Sequence, residues 1–203
     1  MTLLRDLVLA TGNRDKIVEL AHALHHLPLR LIPVGELGAW PDPDETGATL
    51  AENALIKARV AMERTGRAVL ADDTGLEVDA LGGAPGVFSS RYAGPGATYA
   101  QNTARLLRDL ASVPEEARTA RFRCVIALLD PDGRTATVDG VVEGRILLSP
   151  RGTGGFGYDP VFLAPEFGRT FAELTVAEKE TISHRGRALA RARETLASWY
   201  GLA

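Results

Sequence analysis

A short apolar segment that ends in a glycine turn and runs into an amphipathic helix constrains the fold of this chain most. Leu7 to Ala10 are apolar and predict a strand, and Thr11-Gly12-Asn13 follows as a turn signal. Leu29 to Ile32 predict a second strand. A strand, a helix and a strand in this order are typical of α/β proteins. The apolar face of the intervening helix is formed by Ile17, Leu20, Ala21, Leu24 and Leu27.

A second helix is predicted from its own terminal signals. Thr49 and Glu52 have the spacing of a capping box, and Gly66 is a plausible C-terminal stop. Within this helix Asn53 and Lys57 are four residues apart, so their side chains share one face.

The segment after this helix predicts a third strand, and a hairpin follows later. Ala68 to Ala71 are strand-like and end at Asp72 and Asp73. Arg121 to Leu129 and Thr135 to Val142 flank a Pro-Asp-Gly turn, which indicates two strands joined as a hairpin. Strands that alternate with helices early and pair as a hairpin later predict an α/β fold around a mixed sheet.

Two more helices complete the predicted elements. Thr98 and Gln101 stand in capping positions of one, and the last runs from about Ser183 to Trp199. A length of 203 residues is enough for one domain or two closely packed lobes.

Composition narrows the class of protein. The net charge of -3 gives no reason to expect general affinity for nucleic acid or for an anionic membrane. No apolar run approaches the ~18 residues of a membrane span, and Cys124 is the only cysteine. The chain is therefore predicted to be cytoplasmic, with no nucleic acid or membrane partner.

The first candidate site is the turn between the first strand and the first helix. A helix N-terminus offers backbone N–H groups and the positive end of a dipole, which suit a phosphate. Gly12 permits close backbone approach, and Lys16 adds a positive charge. A plain turn capped by Asn13 or Thr11 is the alternative interpretation.

The second candidate site is acidic. Asp44 and Glu45 lie in the loop before the second helix, and Asp72 and Asp73 end the third strand. Mg²⁺ takes one or two carboxylates together with water and substrate phosphate oxygens. Successive strand residues point to opposite sides, so one of Asp72 and Asp73 is expected at the metal and the other in a supporting position. Solvated acids at a strand end are the alternative.

A glycine-rich loop at 152–157 is the third candidate. It matches the G-x-G-x-x-G pattern of dinucleotide-binding proteins, but that pattern needs a helix to begin within it, and Pro160 opposes one. Phe156 and Tyr158 could instead offer a stacking surface for a base. An ordinary hairpin loop is the alternative.

The fourth candidate comprises Lys179, His184 and Arg185 near the start of the last helix. Lysine and arginine donors could address a purine carbonyl oxygen. Arg185 in the first turn of a helix opposes the helix dipole, a local cost that a functional role would explain. A solvated surface arginine is the alternative.

Taken together, these segments closely resemble the inosine triphosphate pyrophosphatase family, the pyrophosphatases of non-canonical purine nucleoside triphosphates. The motifs occur in the family's order and cover nearly the whole chain. They are Thr11-Gly12-Asn13-x-x-Lys16, Glu45-Thr46-Gly47, Glu52-Asn53-Ala54, Lys57-Ala58, Ala71-Asp72-Asp73-Thr74-Gly75-Leu76, Gly82-Gly83-Ala84-Pro85-Gly86, Gly154-Gly155-Phe156-Gly157-Tyr158-Asp159-Pro160 and Ser183-His184-Arg185.

The resemblance implies an elongated central mixed β-sheet with flanking helices, which form two lobes around a nucleotide cleft. The lobes would belong to a single domain over residues 1–203, and the chain would form a homodimer. The implied reaction is Mg²⁺-dependent cleavage between the α- and β-phosphates of ITP, dITP and XTP, which gives the monophosphate and pyrophosphate.

The resemblance also implies roles for individual residues. Asp73 is expected to bind the metal and to accept a proton, and Asp44 to occupy the second metal position, with the neighbouring Glu45 as the other candidate. We further expect Lys16 and Lys57 to neutralise charge on the leaving group. The triphosphate would be bound by Thr11, Gly12, Asn13, Arg14, Asp15 and Lys16. The remaining substrate contacts would be made by Thr74, Phe156, Gly157, Tyr158, Asp159, Lys179, His184 and Arg185.

Two other functions stay open on the sequence. One is a related pyrophosphatase that acts on pyrimidine or other modified nucleotides, and the other is a nucleotide-binding module without catalysis. The intact set of acids argues against the second.

Overall fold

A computed structural model describes residues 4–41 and 43–202, and over these it shows a mixed sheet with helices. The strands are β1 Arg5–Leu9, β2 Leu29–Pro33, β3 Ala68–Val78, β4 Pro85–Gly86, β5 Thr119–Leu129, β6 Thr135–Ile146, β7 Phe162–Ala164 and β8 Arg169–Thr170. The α-helices are α1 Arg14–Leu24, α2 Leu50–Thr65, α3 Tyr99–Asp109, α4 Val176–Ile182 and α5 His184–Tyr200.

The sheet order is β2-β1-β3-β5-β6-β7-β8, with β4 beside β3. β1 is parallel to both β2 and β3, whereas β3 with β4, β6 with β7 and β7 with β8 are antiparallel. The predicted α/β class with a mixed sheet is therefore confirmed.

The chain folds into two compact units. The first comprises residues 1–73, 124–140 and 185–203, and the second comprises 74–123 and 141–184. Three of the four passages of the chain from one unit to the other lie inside the strands β3, β5 and β6. The assignment of 1–203 to a single domain with two lobes stays a prediction.

The core of the first unit is built on the predicted strand, turn and helix. Leu7 and Leu9 of β1 and Leu20 and Leu24 of α1 are fully buried in one cluster with residues of α5 such as Leu189. Burial of each such leucine stabilises the fold by about 1.5–3 kcal/mol relative to an exposed one.

The core of the second unit is aromatic. Phe122, Phe162 and Phe171 pack on one another with ring centroids 4.7–5.9 Å apart. In the same unit, the buried Arg118 donates to the backbone carbonyls of Leu110, Val113 and Leu147, and so provides partners for carbonyl groups near the end of α3. The apolar cluster also includes Tyr158 and Val161, at the end of the glycine-rich loop and just after it.

The helix α2 begins and ends as predicted. Thr49 accepts from the N–H of Glu52, and the Glu52 carboxylate accepts from the N–H of Thr49, so the capping box is complete. Gly66 follows the helix at φ 61°, a left-handed conformation that favours glycine.

One predicted boundary was wrong. β3 does not end at the acidic pair but continues through Asp72 and Asp73 to Val78, because buried cations compensate both carboxylates within the strand. The short helix α4, which carries Lys179, was not predicted. No helix in the described part of the chain is long and apolar enough to cross a membrane.

Candidate active site

Asp72 and Asp73 are consecutive residues of β3, and both are buried. Their carboxylates have different partners in the first unit, as the alternation of side chains along a strand leads one to expect. Asp72 bonds Lys16 and Arg185, whereas Asp73 bonds Lys57.

Lys57 connects Asp73 to the acidic loop. Its Nζ lies 2.6 Å from Oδ1 of Asp73 and 3.1 Å from Oε1 of Glu45. The helix α2 places Lys57 in this position, because the capping box fixes where the helix begins. Two carboxylates therefore share one buried ammonium group.

The surroundings of this group shift its pKa values. Burial raises the pKa of Asp73 above its ordinary value, and Lys57 and Lys16 only partly offset it. Burial alone would lower the pKa of Lys57, but the carboxylates of Asp73, Asp72 and Glu45 raise it above its ordinary value. Lys57 therefore stays charged, while Asp73 is a stronger base than an exposed aspartate.

Asp72 is held as a permanent anion. Its Oδ2 lies 3.0 Å from Nζ of Lys16 and 3.2 Å from a terminal nitrogen of Arg185, whose Nε is at 3.3 Å. Although burial would raise the pKa of Asp72, Lys16 and Arg185 hold it well below its usual range. The remaining terminal nitrogen of Arg185 donates to Glu19. Arg185 is thus buried among carboxylates, and the alternative of a solvated surface arginine is wrong.

The turn after β1 is capped by Asn13, as the alternative interpretation expects, and phosphate binding there stays a prediction. Asn13 Oδ1 accepts from the N–H groups of Asp15 and Lys16 at 2.9 and 3.2 Å, so it caps α1. Those two N–H groups are consequently satisfied by the protein itself. Gly12, Arg14 and Asp15 are exposed, and the cationic end of Lys16 reaches the buried Asp72.

The acidic loop places its two carboxylates differently. Asp44 is exposed, whereas Glu45 is half-buried and bonds Lys57. No group of three or more His, Cys, Asp or Glu side chains that could hold a metal occurs within residues 4–41 and 43–202. Two hard carboxylates beside one cationic group nevertheless fit Mg²⁺, which binds through one or two carboxylates and completes its shell with water and phosphate oxygens.

In the second unit, the glycine-rich loop is built around Asp159. Its Oδ2 accepts from Nζ of Lys179 at 2.6 Å and from the N–H of Phe156 at 2.9 Å, and both charged side chains are buried. A Cβ on Gly155 would stand 2.1 Å from the same oxygen, and φ is +66° there. Only glycine therefore permits this close approach.

Phe156 and Tyr158 have different environments in this loop. Phe156 is half-buried, and its ring lies 4.8 Å from Nζ of Lys179 and 5.9 Å from the ring of Tyr99. Tyr158 is buried in the core of the unit, and its hydroxyl donates to the Ser89 carbonyl. The ring of Tyr158 is therefore not exposed for stacking, so of the two predicted aromatic rings only that of Phe156 is partly accessible.

Other predicted substrate contacts belong to the same unit. His184 is buried and stacks on Phe122 with centroids 4.6 Å apart. Thr74 is half-buried in β3, and the carbonyl of Gly157 accepts from the hydroxyl of Thr103.

Comparison with known proteins decides the family. The sequence model of the Ham1 family matches residues 7–195, which is nearly the whole chain. This chain belongs to the Ham1 family.

Relatives cover both units of this Ham1 chain. It is 51% identical over 194 residues to a dITP/XTP pyrophosphatase of Desulforamulus reducens, over 96% of each chain. It is 52% identical over 196 residues to a dITP/XTP pyrophosphatase of Geobacter sulfurreducens, over 97% of this chain and 98% of the relative.

Solved structures agree with the fold of the Ham1 chain. A HAM1 protein from Coxiella burnetii matches with a TM-score of 0.86 at 46% identity, over 96% of this chain and all of that one. The Ham1 protein of Staphylococcus aureus matches with a TM-score of 0.85 at 37% identity, over 96% of this chain and 99% of that one.

Sequence reasoning missed two residues of this arrangement. Glu19 accepts a hydrogen bond from Arg185, which is 166 positions away in the sequence, and no local sequence pattern predicts such a contact. Asn53 was named as a neighbour of Lys57 on the helix face and within the motif Glu52-Asn53-Ala54, but its bond with the N–H of Gly47 was not expected.

Proposed function

We propose that this Ham1-family chain is a nucleoside-triphosphate pyrophosphohydrolase that cleaves ITP, dITP and XTP to the monophosphate and pyrophosphate. The observation that carries the proposal is the buried group in which Lys57 joins Asp73 to Glu45. Its relatives from Desulforamulus reducens and Geobacter sulfurreducens are dITP/XTP pyrophosphatases, which supports dITP and XTP as substrates.

The proposed cofactor is Mg²⁺, with Asp73 and Glu45 as its protein ligands. Bound there, it would neutralise charge on phosphate oxygens. Glu45 is preferred over Asp44 because only Glu45 reaches the ammonium group that also holds Asp73.

Asp73 accepts the proton of the water that attacks the α-phosphorus. Its side chain is buried and its Oδ1 lies 2.6 Å from Nζ of Lys57, which fixes the position of the base. Lys57 and Lys16 carry positive charge next to the acidic pair and would stabilise the negative charge that develops on the leaving pyrophosphate. Thr11, Gly12, Asn13, Arg14 and Asp15 would contact the triphosphate on the exposed side of the same turn.

Base recognition is assigned to the second unit. Phe156 offers a ring for stacking, and Lys179, beside that ring, offers a donor to O6 of hypoxanthine or xanthine. Adenine presents an amino group at that position, so donor would meet donor. An unpaired buried group costs about 1–3 kcal/mol, which is about one to two decades in rate. Asp159 holds both Phe156 and Lys179 in place.

The remaining assignments rest on the resemblance. Thr74, Gly157, Tyr158 and His184 would contact the substrate, and Arg185 would also face the base. Because the guanidinium of Arg185 bonds Asp72 and Glu19, we propose that its main role is to fix the position of the Asp72 carboxylate. The chain would act as a homodimer, with twice its chain mass of 21.7 kDa in solution.

Product analysis tests the function. ITP, dITP, XTP, ATP and dTTP are compared at equal concentration, with Mg²⁺ and with EDTA. We expect monophosphate and pyrophosphate from the first three, strict dependence on the metal, and rates with ATP lower by about one to two decades. Release of orthophosphate and a diphosphate, preference for dTTP, or binding of ITP without turnover would contradict the proposal.

A further inference from the structure

Asn53 holds the loop that carries Glu45. Its side chain is fully buried, and its Oδ1 accepts from the backbone N–H of Gly47 at 2.8 Å. Since that N–H can only donate, the orientation of the amide is fixed, with the oxygen towards the loop. Glu45 lies two residues before Gly47, so the bond restrains the backbone next to it.

The loop passes so close to α2 that no side chain fits at position 47. A Cβ on Gly47 would stand 2.6 Å from Oδ1 of Asn53, 2.6 Å from Cβ of Glu52 and 3.0 Å from the backbone nitrogen of Asn53. The last two contacts involve atoms of the helix that cannot swing aside. Position 47 is therefore restrained twice: it must be glycine to pass the helix, and its N–H is bonded by the amide of Asn53.

Asn53 differs from Asn102, a buried asparagine whose amide is bonded at both its oxygen and its nitrogen. Asn102 is buried on α3, accepts from the N–H of Ala93 at 2.7 Å and donates to the carbonyl of Ser90 at 3.0 Å. For Asn53, by contrast, Nδ2 is buried and has no hydrogen-bond partner among the residues that the structure describes. Position 53 therefore carries the cost of an unmet donor, while the bond to Oδ1 comes from the loop that carries Glu45.

We propose that Asn53 is a positioning residue that places the carboxylate of Glu45 beside Asp73 for the divalent cation. On one face of α2, Lys57 bonds both carboxylates, and Asn53, one turn earlier, fixes the loop from which Glu45 extends. Asn53 acts through Gly47 and Glu45 and does not itself bind the metal. The inference rests on the proposed function, since it takes Glu45 as a metal ligand.

Mn²⁺ binding to the full chain tests the inference without turnover, through the electron paramagnetic resonance signal of free Mn²⁺. The variants are Glu45→Gln, Asn53→Ala and the double variant. We expect each single variant to weaken Mn²⁺ binding, Asn53→Ala by roughly five- to tenfold, the equivalent of one hydrogen bond. The double variant should bind Mn²⁺ less than about twofold more weakly than Glu45→Gln alone, because Asn53 acts through the Glu45 carboxylate and that carboxylate is already absent.

Gly47→Ala is a second variant, which displaces the same loop while Asn53 is kept. It should weaken Mn²⁺ binding as Asn53→Ala does, and it keeps the test valid if Asn53→Ala does not fold. Asn102→Ala is the matched control, since it removes a buried asparagine with two satisfied bonds from the second unit. It should lower the thermal stability and leave Mn²⁺ binding within about twofold, less than the loss of one hydrogen bond.

Two outcomes would overturn the inference alone. One is unchanged Mn²⁺ binding in folded Asn53→Ala. The other is that Asn53→Ala weakens Mn²⁺ binding by the same factor in the wild-type chain and in the Glu45→Gln variant. Unchanged Mn²⁺ binding in Glu45→Gln, or no binding to the wild-type chain, would instead contradict the metal site of the proposed function, and the inference with it.

Discussion

Two neighbouring aspartates in one strand differ in chemistry because their partners differ. Asp72 has two close cations, Lys16 and Arg185, which keep its pKa low and its charge permanent. Asp73 shares its close cation, Lys57, with Glu45, and burial raises its pKa. Asp72 is thus suited to hold cations in place, and Asp73 is suited to accept a proton.

Replacement of Asp73 by asparagine tests this division at the residue scale. The asparagine side chain has nearly the same shape as aspartate but could not accept a proton, so Asp73→Asn should lose on the order of 10²-fold or more in turnover. Lys57 would keep Glu45 as a partner, and circular dichroism should show an intact fold. Turnover close to that of the wild type would show that Asp73 is not the proton acceptor.

The two acids of the loop provide a matched pair of substitutions. Glu45→Gln removes a half-buried carboxylate that bonds Lys57, whereas Asp44→Asn changes an exposed one. We expect Glu45→Gln to raise the Mg²⁺ concentration for half-maximal activity by about tenfold or more, the loss of one hard ligand, and Asp44→Asn to leave it nearly unchanged. If Asp44→Asn instead raises this Mg²⁺ concentration and Glu45→Gln does not, then Asp44 rather than Glu45 binds the metal.

At the scale of elements, the sequence predicted the features that depend on neighbouring residues. It did not predict those that depend on ion pairs between distant segments. The capping box of α2 and its glycine stop depend on residues a few positions apart, so the sequence reveals them. The length of β3 does not follow from local preference, because two aspartates normally disfavour a strand. Ion pairs with Lys16 and Lys57, from distant segments, make their burial in β3 possible.

The short helix α4, which carries Lys179, depends on Glu178 at its N-terminus. The side chain of Arg169 and the N–H and hydroxyl of Thr175 lower the pKa of Glu178 from 4.5 to about 2. Because the folded pKa is depressed, this stabilisation is complete above pH 4.5 and is lost as the pH falls towards about 2.

Glu178→Gln should therefore destabilise the protein near neutral pH, and the difference from wild type should shrink as the pH falls through this range. Urea unfolding of both proteins between about pH 6 and the lowest pH at which they fold measures the effect. A difference that is constant with pH would show that the charge of Glu178 contributes nothing.

At the scale of the whole molecule, the two units share continuous strands. β3, β5 and β6 each contribute residues to both, so unfolding of one unit would leave three strands of the other incomplete. We expect one cooperative thermal transition, with equal calorimetric and van't Hoff enthalpies. Two separate transitions in scanning calorimetry would show that the units are independent domains.

The residues of the candidate site could be proposed from the sequence, but their arrangement could not. Each motif alone left an ordinary structural role open, and it was the set of motifs, in the order of a known family, that pointed to the acids, the lysines and the glycine-rich loop. The burial of Arg185 between Asp72 and Glu19 and the bond between Glu45 and Lys57 depend on contacts between distant segments, which no local pattern reveals.

The most direct test of the account is hydrolysis of ITP by the wild-type protein in water enriched in ¹⁸O, with mass analysis of both products. Attack of water on the α-phosphorus, with Asp73 as the proton acceptor, places the label in IMP and leaves pyrophosphate unlabelled. Label in pyrophosphate would show attack on the β-phosphorus and would contradict the account.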